Sequence, residues 1–168
     1  MVKGGALLAF VSLQRGGELA IARRNTRALR RKGAYEIGAG HYPLMFALHA
    51  TWLLTLWLFG GNRRLVPRFV VVYFTLQAIR SWVRRTLGAR WTTRIIILPG
   101  VPRITDGPYR FLKHPNYALV ALELPCASLA VGLRWHALVF GSLNLLMLAW
   151  RIRAEDAGLQ TTSGNAHC

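Results

Sequence analysis

Apolar runs of membrane-crossing length recur along the chain, and the charges collect between them. From Ile37 to Asn62 there is no Asp, Glu, Lys or Arg, and residues 41–60 (HYPLMFALHATWLLTLWLFG) supply the ~20 positions that a hydrocarbon core requires. Residues 65–83 (LVPRFVVVYFTLQAIRSWV) form a second span, with Pro67 tolerated in its first turn and Arg68 and Arg80 near enough to its ends to snorkel. Residues 116–133 form a third, interrupted by Glu123 and Pro125. A fourth covers residues 135–150, flanked by Trp135 and Trp150, the residue type favoured at membrane interfaces. Upstream, residues 5–13 (GALLAFVSL) stay apolar for nine positions before Gln14 and Arg15. No small-residue cleavage site follows, so this run reads as a short or truncated first span rather than a signal peptide. The pattern predicts an all-α, polytopic membrane helix bundle with about five transmembrane helices.

Composition agrees with that reading. The 168 residues are 53% hydrophobic yet carry a formal net charge of +16, which would sit badly around one soluble core. Nucleic-acid binding calls for cations on one face of a polar domain, whereas here they alternate with long uncharged runs, so no nucleic-acid partner is expected. With five spans, loops 15–35 and 80–115 and the segment after Trp150 share one side and hold 17 of the 22 Lys and Arg residues. Lys3, Arg63, Arg64, Arg68 and Arg134 take the other side. The positive-inside rule then puts the N-terminus outside and the C-terminus in the cytoplasm of a multi-pass protein; a bacterial inner membrane is the expected location. A reporter fused after Ala157 is expected to register as cytoplasmic and one near Asn62 as external; the opposite pattern would overturn this orientation. Residues 18–32 (ELAIARRNTRALRRK) read as a juxtamembrane helix held to anionic headgroups of the bilayer.

Candidate chemistry lies in residues 93–126, which follow the span at 65–83 and run into the one at 116–133, on the cytoplasmic side. Thr93 to Leu98 looks extended, and Pro99, Gly100, Pro102, Gly107 and Pro108 punctuate a loop. His114-Pro115 then opens a helix, because proline fits the first helical position. Free N–H groups and a partial positive charge therefore point to the cytoplasmic mouth of the bundle, where an anionic or polar ligand fits. Tyr117, three residues after His114, shares its helix face. Glu123, seven after Asn116, looks into the bundle; a carboxylate inside a span costs about 2.5–3.5 kcal/mol and is a functional-site hypothesis by default. It either touches a substrate, acts as a base, pairs with an Arg of another helix, or is protonated and simply bonded to a neighbouring helix. Arg151 and Glu155, at i and i+4, form either a surface helix pair worth a few tenths of a kcal/mol or part of a site. His41 and His49 are eight positions apart, too far to grip one metal, and Cys126 and Cys168 build no disulfide framework or metal site.

The run GPYRFLKHPNY at 107–117, followed by RIRAED at 151–156, resembles the isoprenylcysteine carboxyl methyltransferase family of integral membrane enzymes. It is most similar to a bacterial branch linked with alkylpyrone O-methylation, whose members also show stretches like GGELAIARRN (16–25) and HYPLMFALH (41–49). This resemblance covers nearly residues 15–156 and implies a single membrane methyltransferase-like domain over 1–156. It further implies methyl transfer from S-adenosylmethionine to a carboxylate or enol oxygen of a lipophilic small-molecule acceptor. By the same resemblance His114, Pro115, Tyr117, Glu155 and Asp156 hold the cofactor and Arg151 lies near the acceptor, with Glu123 as a further catalytic candidate. Two features depart from the family pattern. Lys113 stands where the family usually has Arg before the HP pair, which keeps the charge but loses the planar fork. After Asp156 the chain reads AGLQTTSGNAHC, an atypical polar tail over 157–168 in place of an aromatic and basic helix that helps close the cofactor pocket. That tail is what a truncated or frameshifted gene product would show. Two rival classes share parts of the pattern: an NADPH-dependent membrane sterol or polyprenol reductase, and a non-catalytic polybasic membrane protein derived from the family.

Overall fold

A computed structural model describes residues 3–164, with side chains through Ala157. Apart from Ala157, the side chains of the 157–168 tail lie outside the described residues. Five long helices run in chain order: α1 (Gly4–Arg31), α2 (Tyr42–Gly60), α3 (Pro67–Leu87), α4 (Pro115–Ala130) and α5 (Arg134–Gly164). Two short strands, β1 (Tyr35–Ile37) and β2 (Ile95–Ile97), pair antiparallel with Glu36 opposite Ile96. Among the described residues two helical stretches are long and apolar enough to cross a membrane, Ala39–Gly60 and Arg134–Ala157.

The structure joins what the hydrophobic pattern separated. Residues 5–13 and the basic stretch 18–32 belong to one 28-residue helix, about 42 Å long at 1.5 Å per residue. No proline intervenes, and the buried stripe Leu7, Val11, Glu18, Ala22, Thr26, Leu29 keeps helical spacing past the apolar run. α2 buries only the seam Trp52, Leu56, Gly60 and exposes Leu44, Phe46, Leu54, Leu58 and Phe59. A helix apolar all round with one packed seam suits a lipid-facing position. α4 is the central element, packed most extensively against α3 and α5. Its buried Cys126, Ala127, Ser128 and Ala130 are small, which lets neighbouring backbones approach without a hydrophobic driving force between helices.

At one end of the bundle the start of α1 and the two tight helical connections meet. Gly4 N–H donates to the Arg63 carbonyl at 2.8 Å, and Val66 N–H to the Ala130 carbonyl at 2.8 Å. A Cβ on Gly60 would lie 2.8 Å from Val131 Cγ2, so glycine there permits the approach of α2 to the α4–α5 turn. Lys3, Arg63 and Arg64, expected on the lightly charged side, lie at this end, whereas Arg15, Glu18 and Arg80, expected in loops on the heavily charged side, lie within α1 and α3 inside the bundle. A polar chain ties α2, α4 and α5 together: Trp52 Nε1 donates to Ser128 Oγ at 3.2 Å, while His136 bridges Ser128 Oγ and Thr55 Oγ1, each at 2.9 Å.

Arg80 does not snorkel as its place in the span suggested; it is 5% exposed and carries the centre of a buried ion network. Its Nε and Nη2 donate to the two Glu18 oxygens at 2.6 and 2.9 Å, and Nη1 to Glu123 Oε2 at 2.7 Å. Arg15 Nη2 reaches the same Glu123 oxygen at 2.7 Å. Two cations thus neutralise two carboxylates between α1, α3 and α4. Buried charges are tolerated only when paired and hydrogen-bonded in this way. Arg68, by contrast, is exposed and lies over the Phe69 ring.

Candidate active site

The end of the bundle opposite the α2–α3 and α4–α5 turns is organised by a small ribbon. Glu36 on β1 accepts from Arg94 Nη1 at 2.6 and 2.9 Å and from Arg30, and the Arg94 guanidinium lies 3.8 Å above the Tyr42 ring. These contacts clamp the segment before β2 between the end of α1 and the start of α2, which places Trp91, Thr92 and Thr93 across the bundle mouth. The 3-10 turn Gly107–Arg110 and His114-Pro115 then deliver the start of α4 to the same place.

There the sequence-predicted residues come together. The His114 and Tyr117 rings stack with centroids 5.4 Å apart at 20°, as one-turn spacing on a shared face requires. Tyr117 Oη donates to Glu155 Oε2 at 2.6 Å. Lys113 Nζ lies 2.8 Å from Asp156 Oδ1, and His114 Nε2 lies 3.5 Å from the same oxygen, beyond a well-formed hydrogen bond. Pro115 is buried and starts the helix without entering the wall of a cavity. Burial, with the Glu155 carboxylate nearby, pushes the Tyr109 phenol up to about 12, so it remains a neutral donor.

Arg151 and Glu155 do not form a surface helix pair. Arg151 is 4% exposed; its Nη2 donates to the Thr93 carbonyl at 2.9 Å and its Nη1 to Met45 Sδ, while Glu155 is engaged by Tyr117. No carboxylate pairs with Arg151 among the described residues, and its Nε is buried without a partner. This buried guanidinium is held by a carbonyl and a thioether and lies 5.6 Å from the centre of the Tyr117 ring, with no carboxylate ion-paired to it among the described residues, which favours an anion beside it.

Two cavities meet at this guanidinium. One, of about 190 Å³, is lined by polar groups including His114, Tyr117, Glu155 and Lys113. The other, of about 360 Å³, runs into the bundle between apolar walls from α1, α2 and α5, among them Leu19, Phe46, Leu53 and Met147. Thr92, Asn116, Tyr117 and Arg151 line both. Glu123, fully buried, lines neither cavity; of the roles open to it, the structure shows the ion pair with arginines of other helices, and those partners, Arg15 and Arg80, line the apolar cavity in its stead. Asp156 also stays outside both walls. His41 packs on the Trp150 ring, and His49 Nδ1 contacts the Met45 carbonyl at 2.8 Å.

Sequence reasoning missed several wall residues. Trp91 and Asn144 were passed over, and Arg15 and Glu18 were read as loop charges. For Asn144 the available signal was a lone amide inside an apolar span, the same signal that drew attention to Glu123.

Comparison with known proteins bears on this arrangement. Residues 69–161, which contain most of α3, all of α4 and the Arg151 to Asp156 stretch, match the family described as Isoprenylcysteine carboxyl methyltransferase (ICMT) family. The chain is 36% identical to "Uncharacterized protein YpbQ" of Bacillus subtilis (strain 168), over 94% of this chain and 96% of that one. It is 28% identical to an "Uncharacterized protein" of Haemophilus influenzae, over 84% of this chain and 86% of that one. No solved structure matches it. With Asn116, Tyr117 and Arg151 at the junction of the two cavities all inside the matched region, the chain belongs to the isoprenylcysteine carboxyl methyltransferase family of membrane proteins.

Proposed function

We propose that the protein transfers a methyl group from S-adenosylmethionine to a carboxylate or enol oxygen of a lipophilic acceptor, at the junction of the two cavities. The observation that carries this reading is Arg151, a buried and unpaired cation standing where a polar cavity meets an apolar one. The residues fit the cofactor. Its hydroxyls and ammonium call for acceptors, and the polar cavity offers the Glu155 carboxylate and a buried, unpartnered Asn116 Oδ1; His114 Nε2 is likewise buried and unpartnered. When bound, S-adenosylmethionine supplies a methyl group on a positively charged sulfur. His114, Tyr117 and Glu155 hold it from the polar side. Arg151 orients the acceptor oxyanion by charge-assisted hydrogen bonds, with Trp91 Nε1, buried and unpartnered, as a second donor at the cavity wall. An ionised oxygen needs no strong base, so alignment is the main requirement, and proximity and orientation supply about 7–11 kcal/mol of such a barrier. The apolar cavity excludes water and takes the body of the acceptor from the membrane. Exposed Arg23, Arg24, Arg27 and Arg31 on α1 rest on anionic headgroups at about 1 kcal/mol per cation.

Purified protein is expected to bind S-adenosylhomocysteine in a calorimetric titration. His114→Ala and Glu155→Ala should each weaken binding about 10- to 150-fold, the loss of one charge-assisted or buried polar contact. A folded wild-type protein that binds none would refute the methyltransferase reading.

A further inference from the structure

Six buried side-chain polar atoms lack a partner among the described residues, and five of them belong to residues that line the apolar cavity. Three of the five, on Asn116, Trp91 and Arg151, belong to the reaction end described above. The other two are Arg15 Nε and Asn144 Oδ1, which serve no part of the methyl-transfer reading. Asn144 is fully buried near the middle of α5, and its Nδ2 donates to the Val120 carbonyl at 3.1 Å, which fixes the amide and leaves Oδ1 as the free acceptor. Asn144 precedes Arg151 by seven residues, two helical turns, so the two share a face with their Cα atoms about 10 Å apart along the axis. Both residues line the same cavity. An acceptor whose reacting oxygen sits at Arg151 therefore extends past an unpartnered carbonyl oxygen on its way into the bundle. Leaving such an oxygen unbonded against a purely hydrocarbon ligand is costly, and among the described residues no hydroxyl or amide supplies the missing donor.

We infer that the acceptor carries a second polar group, a neutral hydroxyl or amide N–H set back from the methylated oxygen, and that Asn144 Oδ1 reads it by accepting its hydrogen bond. Arg15 Nε, the other free polar atom of the inner wall, is a donor, so a hydroxyl, which both donates and accepts, matches this wall better than a group that only donates. Asn144 is then a specificity-determining residue: a site built to hydrogen-bond a ligand hydroxyl discriminates against the analogue that lacks it, because the analogue leaves a buried group unpaired. The inference rests on the reading of the apolar cavity as the acceptor site.

The test measures binding and turnover separately. Protein in lipid nanodiscs is titrated with a saturated long-chain fatty acid and with a series of its monohydroxylated derivatives in which the hydroxyl walks along the chain from the carboxylate. Wild type should bind one member of the series about 10- to 100-fold more tightly than the unsubstituted acid. Asn144→Leu should abolish that preference while its affinity for the unsubstituted acid stays within about threefold of wild type, and Asn144→Gln should shift or weaken it. Unchanged S-adenosylhomocysteine binding at the polar cavity shows that the variants are folded. Equal binding of the plain and hydroxylated acids by wild type, as a water resident at Asn144 would produce, overturns the inference, and so does a preference that survives Asn144→Leu. Radiolabelled methyl transfer to the same lipids is followed in parallel. A hydroxyl preference without methyl transfer supports this inference and refutes the proposed activity; methyl transfer without any preference does the reverse.

Discussion

Replacing Arg80 by alanine is expected to destabilise the protein by about 3–5 kcal/mol, the cost of breaking a buried ion pair by removing one partner. Arg80 satisfies both oxygens of Glu18 and shares Glu123 with Arg15, so its loss leaves two carboxylates, 4% and 0% exposed, with one remaining close cation between them. Arg84, 3.6 Å from Glu18 and partly exposed, is too distant to take over the bidentate role. Arg80→Lys keeps a charge but cannot reach both carboxylates with a rigid fork, so it should fall between wild type and alanine. Thermal unfolding in a mild detergent, read by tryptophan fluorescence, measures the series. A melting temperature unchanged in Arg80→Ala would mean that the network contributes nothing to holding α1 on α3 and α4. A double replacement of Arg80 and Glu123 by methionine and leucine should be less damaging than either single change, because removing both charges leaves less uncompensated.

Arg151→Lys is expected to lower methyl transfer about 10- to 150-fold while S-adenosylhomocysteine binding changes little. The guanidinium donates to Thr93 and Met45 with its two terminal nitrogens and keeps a buried Nε free at the junction of the cavities. Lysine retains the charge but has no Nε at that position, so it cannot hold the scaffold and present a donor to the acceptor at once. The comparison of cofactor binding with turnover separates orientation of the acceptor from capture of the cofactor. If turnover is unchanged in both Arg151→Lys and Arg151→Ala, acceptor orientation belongs to another wall residue.

Much of the candidate site was legible because it is local. His114 and Tyr117 stack because three residues make one helical turn, and His114-Pro115 opens α4 because proline belongs there. Arg151 and Glu155 were legible as a pair but not as to what they pair with. Helical spacing permits an Arg151–Glu155 contact; the structure instead turns Arg151 to Thr93 and gives Glu155 to Tyr117, 38 residues away. Which of two allowed partners wins depends on which helices and loops arrive beside α5, and that is a long-range question.

The same division holds for the chain as a whole. The sequence by itself determined the helical, membrane-suited character of the protein, through uncharged runs of crossing length and the one-turn and two-turn spacings that put His114 with Tyr117 and Asn144 with Arg151. Tertiary structure alone decided that residues 5–13 and 18–32 form one helix, because the stripe from Leu7 to Leu29 finds a continuous partner surface only when the bundle assembles. It likewise decided that Arg15, Glu18, Arg80 and Glu123, spread over 108 residues, cancel one another. A charge inside an apolar span announces only that it must be neutralised, since desolvation is a local cost; the compensating charge can come from any helix, and only packing selects which.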